Sequence, residues 1–179
     1  MKLTETDIRS SKNEPVLRKY FYELSNYFDP EDDEFTYNEY YKNVTAEFPR
    51  PVNMYMIEDE IKGENRTVGF VLLQDIPAAR FMHPDFLYIV DFYIYPEYRK
   101  CGYGKQAFNC VLMMTNKPVV LDILHRNDPA KNFWNKCFDD CLSDNKTVNK
   151  WYDKWIMRCV IKDVNNDDSF IWDNMIEIK

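Results

Sequence analysis

Apolar positions in the first fifty residues recur at helical spacing. From Glu14 to Phe28, the residues Val16, Leu17, Tyr20, Phe21, Leu24 and Phe28 share one face of a 3.6-residue repeat. Pro15 suits the first turn of that helix, where its missing N–H goes unused. The acidic run Asp29 to Glu34 reads as a loop. A second helix is predicted from Thr36 to Phe48, closed by Pro49 and Pro51. Ahead of both helices, the polar stretch Lys2 to Asp7 fits a short edge strand.

The period then changes. Asn53 to Ile61 alternates, a turn is predicted near Gly63 to Asn65, and Thr67 to Ile76 carries the run Val-Gly-Phe-Val-Leu-Leu, so the pair reads as a hairpin. After a loop with His83 and Pro84, Phe86 to Tyr95 is rich in aromatic and β-branched residues and stops at Pro96. A helix is predicted from Gly102 through Ala107, Val111 and Leu112, then a short buried strand from Pro118 to Leu124. Asp128 and Pro129 open another helix, with Ala130, Phe133, Trp134 and Phe138 on it. Two late strands, Lys154 to Asp163 and Ser169 to Ile178, flank a polar turn at 165–168. The class is α/β (α+β), and no repeat or linker divides residues 1–179, so one domain is expected.

Composition narrows the function. The net charge of -7 disfavours a nucleic-acid partner and is compatible with a cationic small substrate. No apolar run reaches the roughly 20 residues that cross a bilayer. No secretory leader is evident, and the five cysteines then read as reduced thiols in a cytoplasmic protein. The two histidines are far apart and Cys137 and Cys141 lack partner ligands, so no metal site is expected. Monomer and homodimer remain equally open.

One segment carries chemistry: Ile94-Tyr-Pro-Glu-Tyr-Arg-Lys-Cys-Gly-Tyr-Gly-Lys-Gln-Ala107. A strand passes through a loop into a helix across two glycines, with Arg99, Lys100 and Lys105 adding charge. Unpaired amides at a helix start, with glycines that allow close approach, make a cradle for a pyrophosphate. A Walker A loop is excluded, because Lys105 is followed by Gln106 and Arg99 stands where the first glycine belongs. The dinucleotide fingerprint Gly-x-Gly-x-x-Ala is matched in letters by Gly102, Gly104 and Ala107, with Asp122 near the ribose-binding position. The loop before the glycines is too long for that motif, and the preceding helices and hairpin do not build a doubly wound sheet.

Arg99-x-x-Gly102-x-Gly104 resembles the Gln/Arg-x-x-Gly-x-Gly/Ala signature of the GCN5-related N-acetyltransferase (GNAT) superfamily. Asn127-x-x-Ala130-x-x-Phe133-Trp134 resembles that family's Asn-x-x-Ala-x-x-Phe-Tyr segment, and the order of elements agrees across the chain. The resemblance implies a mixed, mostly antiparallel seven-stranded sheet with helices on both faces. It implies acetyl-CoA as donor and a primary amine of a small molecule or peptide as acceptor, joined by direct attack in a ternary complex. Phe92, Tyr93 and Ile94 would hold the pantetheine arm through the main chain. Arg99, Lys100, Cys101, Gly102, Tyr103, Gly104 and Lys105 would hold the diphosphate, with Asn127 and Phe133 on the far side of the cofactor. Asn127 reads equally as a helix N-cap.

Asp91 is the candidate acid–base group, a carboxylate inside an apolar strand where burial raises its pKa. A substrate-binding carboxylate and one held by a structural partner are the alternatives. Where the family often has a tyrosine that protonates the leaving thiolate, this chain has Trp134, and indole is no useful acid. Tyr93, Tyr95, Tyr103 and Tyr152 are the available substitutes. The competing functions are a non-catalytic CoA-binding sensor, suggested by Trp134, and a weaker dinucleotide-dependent oxidoreductase.

Overall fold

The computed structural model describes residues 1–28, 35–47, 50–78, 85–144 and 146–163. The chain opens with β1 (Lys2–Thr6), α1 (Glu14–Leu24) with a 3-10 turn at Ser25–Tyr27, and α2 (Tyr37–Val44). A hairpin of β2 (Asn53–Ile61) and β3 (Glu64–Ile76) follows, then β4 (Phe86–Ile94), a 3-10 turn at Pro96–Tyr98 and α3 (Tyr103–Met113). The remainder is β5 (Val119–Leu124), α4 (Asp128–Ser143), β6 (Lys146–Tyr152) and β7 (Ile156–Asp163). Hydrogen-bonded strand order is β1-β2-β3-β4-β5-β7-β6 in one seven-stranded sheet. The β4–β5 pair is parallel, whereas β1–β2, β2–β3, β5–β7 and β6–β7 are antiparallel. This is the mixed, mostly antiparallel sheet expected from the sequence.

Helix α2 is shorter than predicted at its C-terminus. Thr36 caps its start through a capping box with Glu39, and Thr45 ends it by turning its hydroxyl onto the Tyr41 carbonyl at 2.6 Å. The hairpin turn is one residue earlier than expected. Lys62 and Gly63 both take positive φ, at 56° and 81°, the requirement of a two-residue turn that matches strand twist. The acidic loop 29–34, residues 48–49, the loop with His83 and the predicted strand 169–178 lie outside the described residues. Among the described residues the sheet also contains β6, which the pattern did not predict. Its sequence, Lys-Thr-Val-Asn-Lys-Trp-Tyr, is polar, in keeping with its place at the end of the strand order among the described residues.

Contacts cluster into two compact units. The first comprises Met1–Gln74 and Val90–Met113. On one face of its strands, Leu17, Tyr20 and Phe21 of α1 and Tyr37, Tyr40 and Val44 of α2 bury against Met54, Phe70, Leu72 and Tyr93. On the other, Ala107 of α3 packs with Ile57 and Val68, flanked by Phe92, Ile94 and Tyr103. Helices therefore cover both faces within this unit. A register shift in β2–β3 after Ile57 leaves Val68 between the pairs Ile57↔Gly69 and Glu58↔Thr67. Next to that bulge the β4 main chain comes very close. A Cβ on Gly69 would lie 2.1 Å from the Tyr93 carbonyl oxygen.

The second unit comprises Asp75–Ile89 and Met114–Lys179. Helix α4 buries Trp134, Cys137, Phe138 and Cys141, spaced to form one stripe. Asp122 of β5 is clamped by the Arg158 guanidinium through Nε at 2.7 Å and Nη2 at 2.6 Å, and also accepts from the Tyr88 hydroxyl at 2.9 Å. Among the described residues, no helix is long and apolar enough to cross a membrane.

Candidate active site

The loop that leaves β4 has alternating backbone handedness. Lys100 and Gly102 have φ of 61° and 87°, while Cys101 between them does not enter the left-handed region. Alternation of left- and right-handed residues is the backbone pattern that can turn successive N–H groups toward one concave side, as in an anion nest. Among the described residues the amides of 100–104 donate to no protein acceptor, and the first α3 bond here runs from the Gln106 amide to the Gly102 carbonyl at 3.2 Å. The nest thus continues into the positive end of α3. Lys100, Cys101, Gly102 and Lys105 are exposed, while the Tyr103 ring turns inward to an edge contact with Tyr98. These are the features a diphosphate needs, and the residues fit one.

Arg99 makes two contacts within the protein. Its Nε donates to the Ile94 carbonyl at 2.9 Å, and its Nη1 pairs with Glu23 at 2.5 Å. The other Glu23 oxygen accepts from the Tyr93 hydroxyl at 2.6 Å. Burial pushes the Glu23 carboxyl up, but the bonds from Arg99 and Tyr93 outweigh it and hold the group below its usual range. Arg99 stays exposed while making these contacts, and Lys100 and Lys105 add charge at the loop.

Asp91 lies on the β4 face that meets α1 and α2. Its two oxygens accept from the Tyr20 hydroxyl at 2.5 Å and the Tyr40 hydroxyl at 2.8 Å. The residue is only 7% exposed. Burial raises its carboxyl to about 6, against the opposing pull of the two hydroxyls. Tyr40 is pushed up in turn, by burial first and by the adjacent carboxylate second. Asp91 thus has two structural partners, Tyr20 and Tyr40. The parallel β4–β5 ladder runs from Leu87↔Val119 to Ile89↔Leu121 and ends two residues before Asp91.

Asn127 and Phe133 belong to the second unit. Asn127 caps α4, accepting from the Ala130 amide at 3.0 Å. Phe133 sits edge-on to Trp134, with ring centroids 4.9 Å apart. Trp134 is a core residue, stacked on Phe138. Asp122, the acid a dinucleotide reading requires, has both oxygens taken by Arg158 and Tyr88. Cys137, Cys141 and Cys159 are buried thiols, and burial pushes Cys141 up to about 11 and Cys159 up to about 12. No group of three or more metal-ligating side chains occurs among the described residues.

Sequence reasoning missed Glu23, Tyr20, Tyr40 and Gly69. Only Gly69 left a signal, as a lone glycine within an apolar strand run. The others look like ordinary positions of an amphipathic helix.

A family model described as "Acetyltransferase (GNAT) family" matches residues 17–139. The chain belongs to that family. A search of curated proteins returned no match. Among solved structures, the chain is similar to a putative GNAT-family acetyltransferase from Bacteroides thetaiotaomicron, at 15% identity and TM-score 0.57 over 97% of this chain and 94% of that one. It is also similar to an acetyltransferase from Thermus thermophilus, at 16% identity and TM-score 0.55 over 89% and 94% of the two chains. A third is Arabidopsis thaliana NAA60, solved with a bisubstrate analogue, at 14% identity and TM-score 0.51 over 92% and 100%. At these identities the likeness shows the fold.

Proposed function

We propose that this protein transfers an acetyl group from acetyl-CoA to a primary amine of a small molecule or peptide, as a single-domain cytosolic enzyme. The observation that carries this reading is the loop 100–104, whose alternating backbone and unused amides open onto α3. Acetyl-CoA supplies an activated thioester carbonyl. The diphosphate rests on the loop amides, with Lys100 and Lys105 beside it. The pantetheine arm follows the β4 main chain at Phe92 and Tyr93. Ile94 follows them, and its carbonyl also accepts from Arg99 Nε.

In the reaction the amine nitrogen forms a bond to the thioester carbon, the C–S bond breaks, and CoA leaves as thiolate. The nitrogen must lose one proton. Asp91 is the proposed acceptor, reached through a tyrosine hydroxyl: Tyr20 or Tyr40 takes the proton on its oxygen while its own passes to the carboxylate. A carboxyl near 6 is ionised at neutral pH and ready for that role. The thiolate takes its proton from water, since Trp134 cannot supply one. The net charge of -7 suits a cationic acceptor.

Thiol release from acetyl-CoA, followed against a panel of polyamines, aminoglycosides and peptide N-termini with intact-mass detection of products, tests the proposal. Turnover with any amine supports it. Tight CoA binding with no turnover across the panel would favour a non-catalytic sensor instead.

A further inference from the structure

Glu23 lies near the end of α1, half-buried, with one oxygen turned to the loop that leaves β4 and the other to β4 itself. One receives the Arg99 guanidinium and the other the Tyr93 hydroxyl. Arg99 in turn holds the Ile94 carbonyl through Nε, and its Cζ lies 5.2 Å from the Tyr93 ring centroid. The carboxylate is therefore a bracket with one prong on the strand and one on the loop. We infer that Glu23 is a positioning residue for the cradle, acting through Arg99 and Tyr93, and that Arg99 shapes the loop without ligating phosphate. The inference rests on the acetyl-CoA reading above.

The physical need is clear from the chain path. Residues 95–102 are irregular apart from one 3-10 turn, and loops are soft unless pinned. Amides grip an anion only when held to within a fraction of an ångström of the right geometry. Arg99 immediately precedes Lys100, the first left-handed residue of the nest. Fixing its side chain at two points fixes where the nest begins. A planar fork can serve a main-chain carbonyl and a carboxylate at once, which a lysine ammonium on a flexible stem does poorly.

The competing role for Arg99, a phosphate ligand held back by Glu23, gives the opposite sign. Neutralising Glu23 removes a negative charge near the diphosphate and releases the guanidinium, so on Coulombic grounds binding tightens. If Glu23 is a bracket, the same change loosens the loop and binding weakens. Charge alone cannot produce that weakening.

The test is calorimetric titration of CoA into the full chain as wild type, Glu23→Gln, Arg99→Gln and the double variant, each checked for folding by thermal denaturation. Each single change should weaken CoA about three- to tenfold, the loss of one part-exposed ion pair and the order it imposes. The double variant should be no weaker than the worse single one, because both remove the same bracket. In turnover assays KM for acetyl-CoA should rise while kcat holds. Tyr93→Phe removes one prong without altering charge and should weaken CoA in the same direction. It serves also if Glu23→Gln folds poorly. Glu23→Gln binding as tightly as wild type, or more tightly, overturns the inference. So does a lowered melting temperature with unchanged affinity, which would make the bracket merely structural. Wild-type protein that fails to bind CoA would overturn the donor reading itself, and the inference with it.

Discussion

Gly69→Ala adds one methyl group where β3 passes the main chain of β4. That carbon would sit 2.1 Å from the Tyr93 carbonyl oxygen, 3.0 Å from the Ile94 Cα and 3.1 Å from the Tyr93 carbonyl carbon. An ordinary contact requires about 3.4 Å, so the strands must part by roughly 1 Å. All three obstructing atoms are backbone, so no side chain can rotate away. Gly69 does not have a positive φ, and alanine meets no conformational penalty there. The effect is purely steric. Overpacking of this kind costs about 1–3 kcal/mol, and displacing the stretch proposed to carry the pantetheine arm by that distance can cost on the order of a hundredfold in the reaction. Urea denaturation and CoA calorimetry should show both losses together. Gly63→Ala is the contrasting control: its φ is 81° and nothing lies within 4 Å of the added carbon. It should lose about 1 kcal/mol from backbone strain and bind CoA normally. A Gly69→Ala protein with wild-type stability and affinity would refute the close-approach argument.

Asp91 makes a pH-dependent contribution. Its folded carboxyl, raised to about 6 from 3.8, binds protons more tightly than in the unfolded chain, so stability falls as pH rises between those values. The two-unit gap is about 3 kcal/mol, lost between pH 4 and 7 in wild type and absent in Asp91→Asn, as measured by chemical denaturation across that range. The same variant should slow kcat strongly with unchanged CoA affinity, while wild-type kcat/KM rises through an apparent pKa near 6. Asp122→Ala should cost about 2–3 kcal/mol in denaturation by stranding Arg158, with CoA affinity unaltered and no NAD binding in either protein. Gly102→Ala places a side chain at φ 87° and should weaken CoA in calorimetry through the distorted nest.

Legibility in the sequence followed how local each cause was. Strand β2 was readable to the residue because its alternation sets its own bounds, and β4 because Pro96 ends a continuous β-prone run. The start of α3 was readable from its glycines, of which Gly102 takes the positive φ that favours this residue type. Strand β6 was not, because it borrows its pairing from β7 and has little apolar signal of its own. The site divides the same way. The nest and Asp91 were visible as loop glycines and an acid in an apolar strand. Arg99 was visible as a cation, but not the carboxylate 76 positions earlier in the chain that engages it. Tyr20 and Tyr40 looked like core aromatics, and their hydroxyl bonds exist only once two helices meet β4.

The central claim is that the amides of 100–104 grip the donor's diphosphate. Titrating desulfo-CoA, which cannot react, into 15N-labelled protein tests it amide by amide. The account expects saturable downfield shifts of the Cys101, Gly102, Tyr103 and Gly104 resonances, larger than those elsewhere in the chain. Saturation with those four resonances unmoved would contradict it.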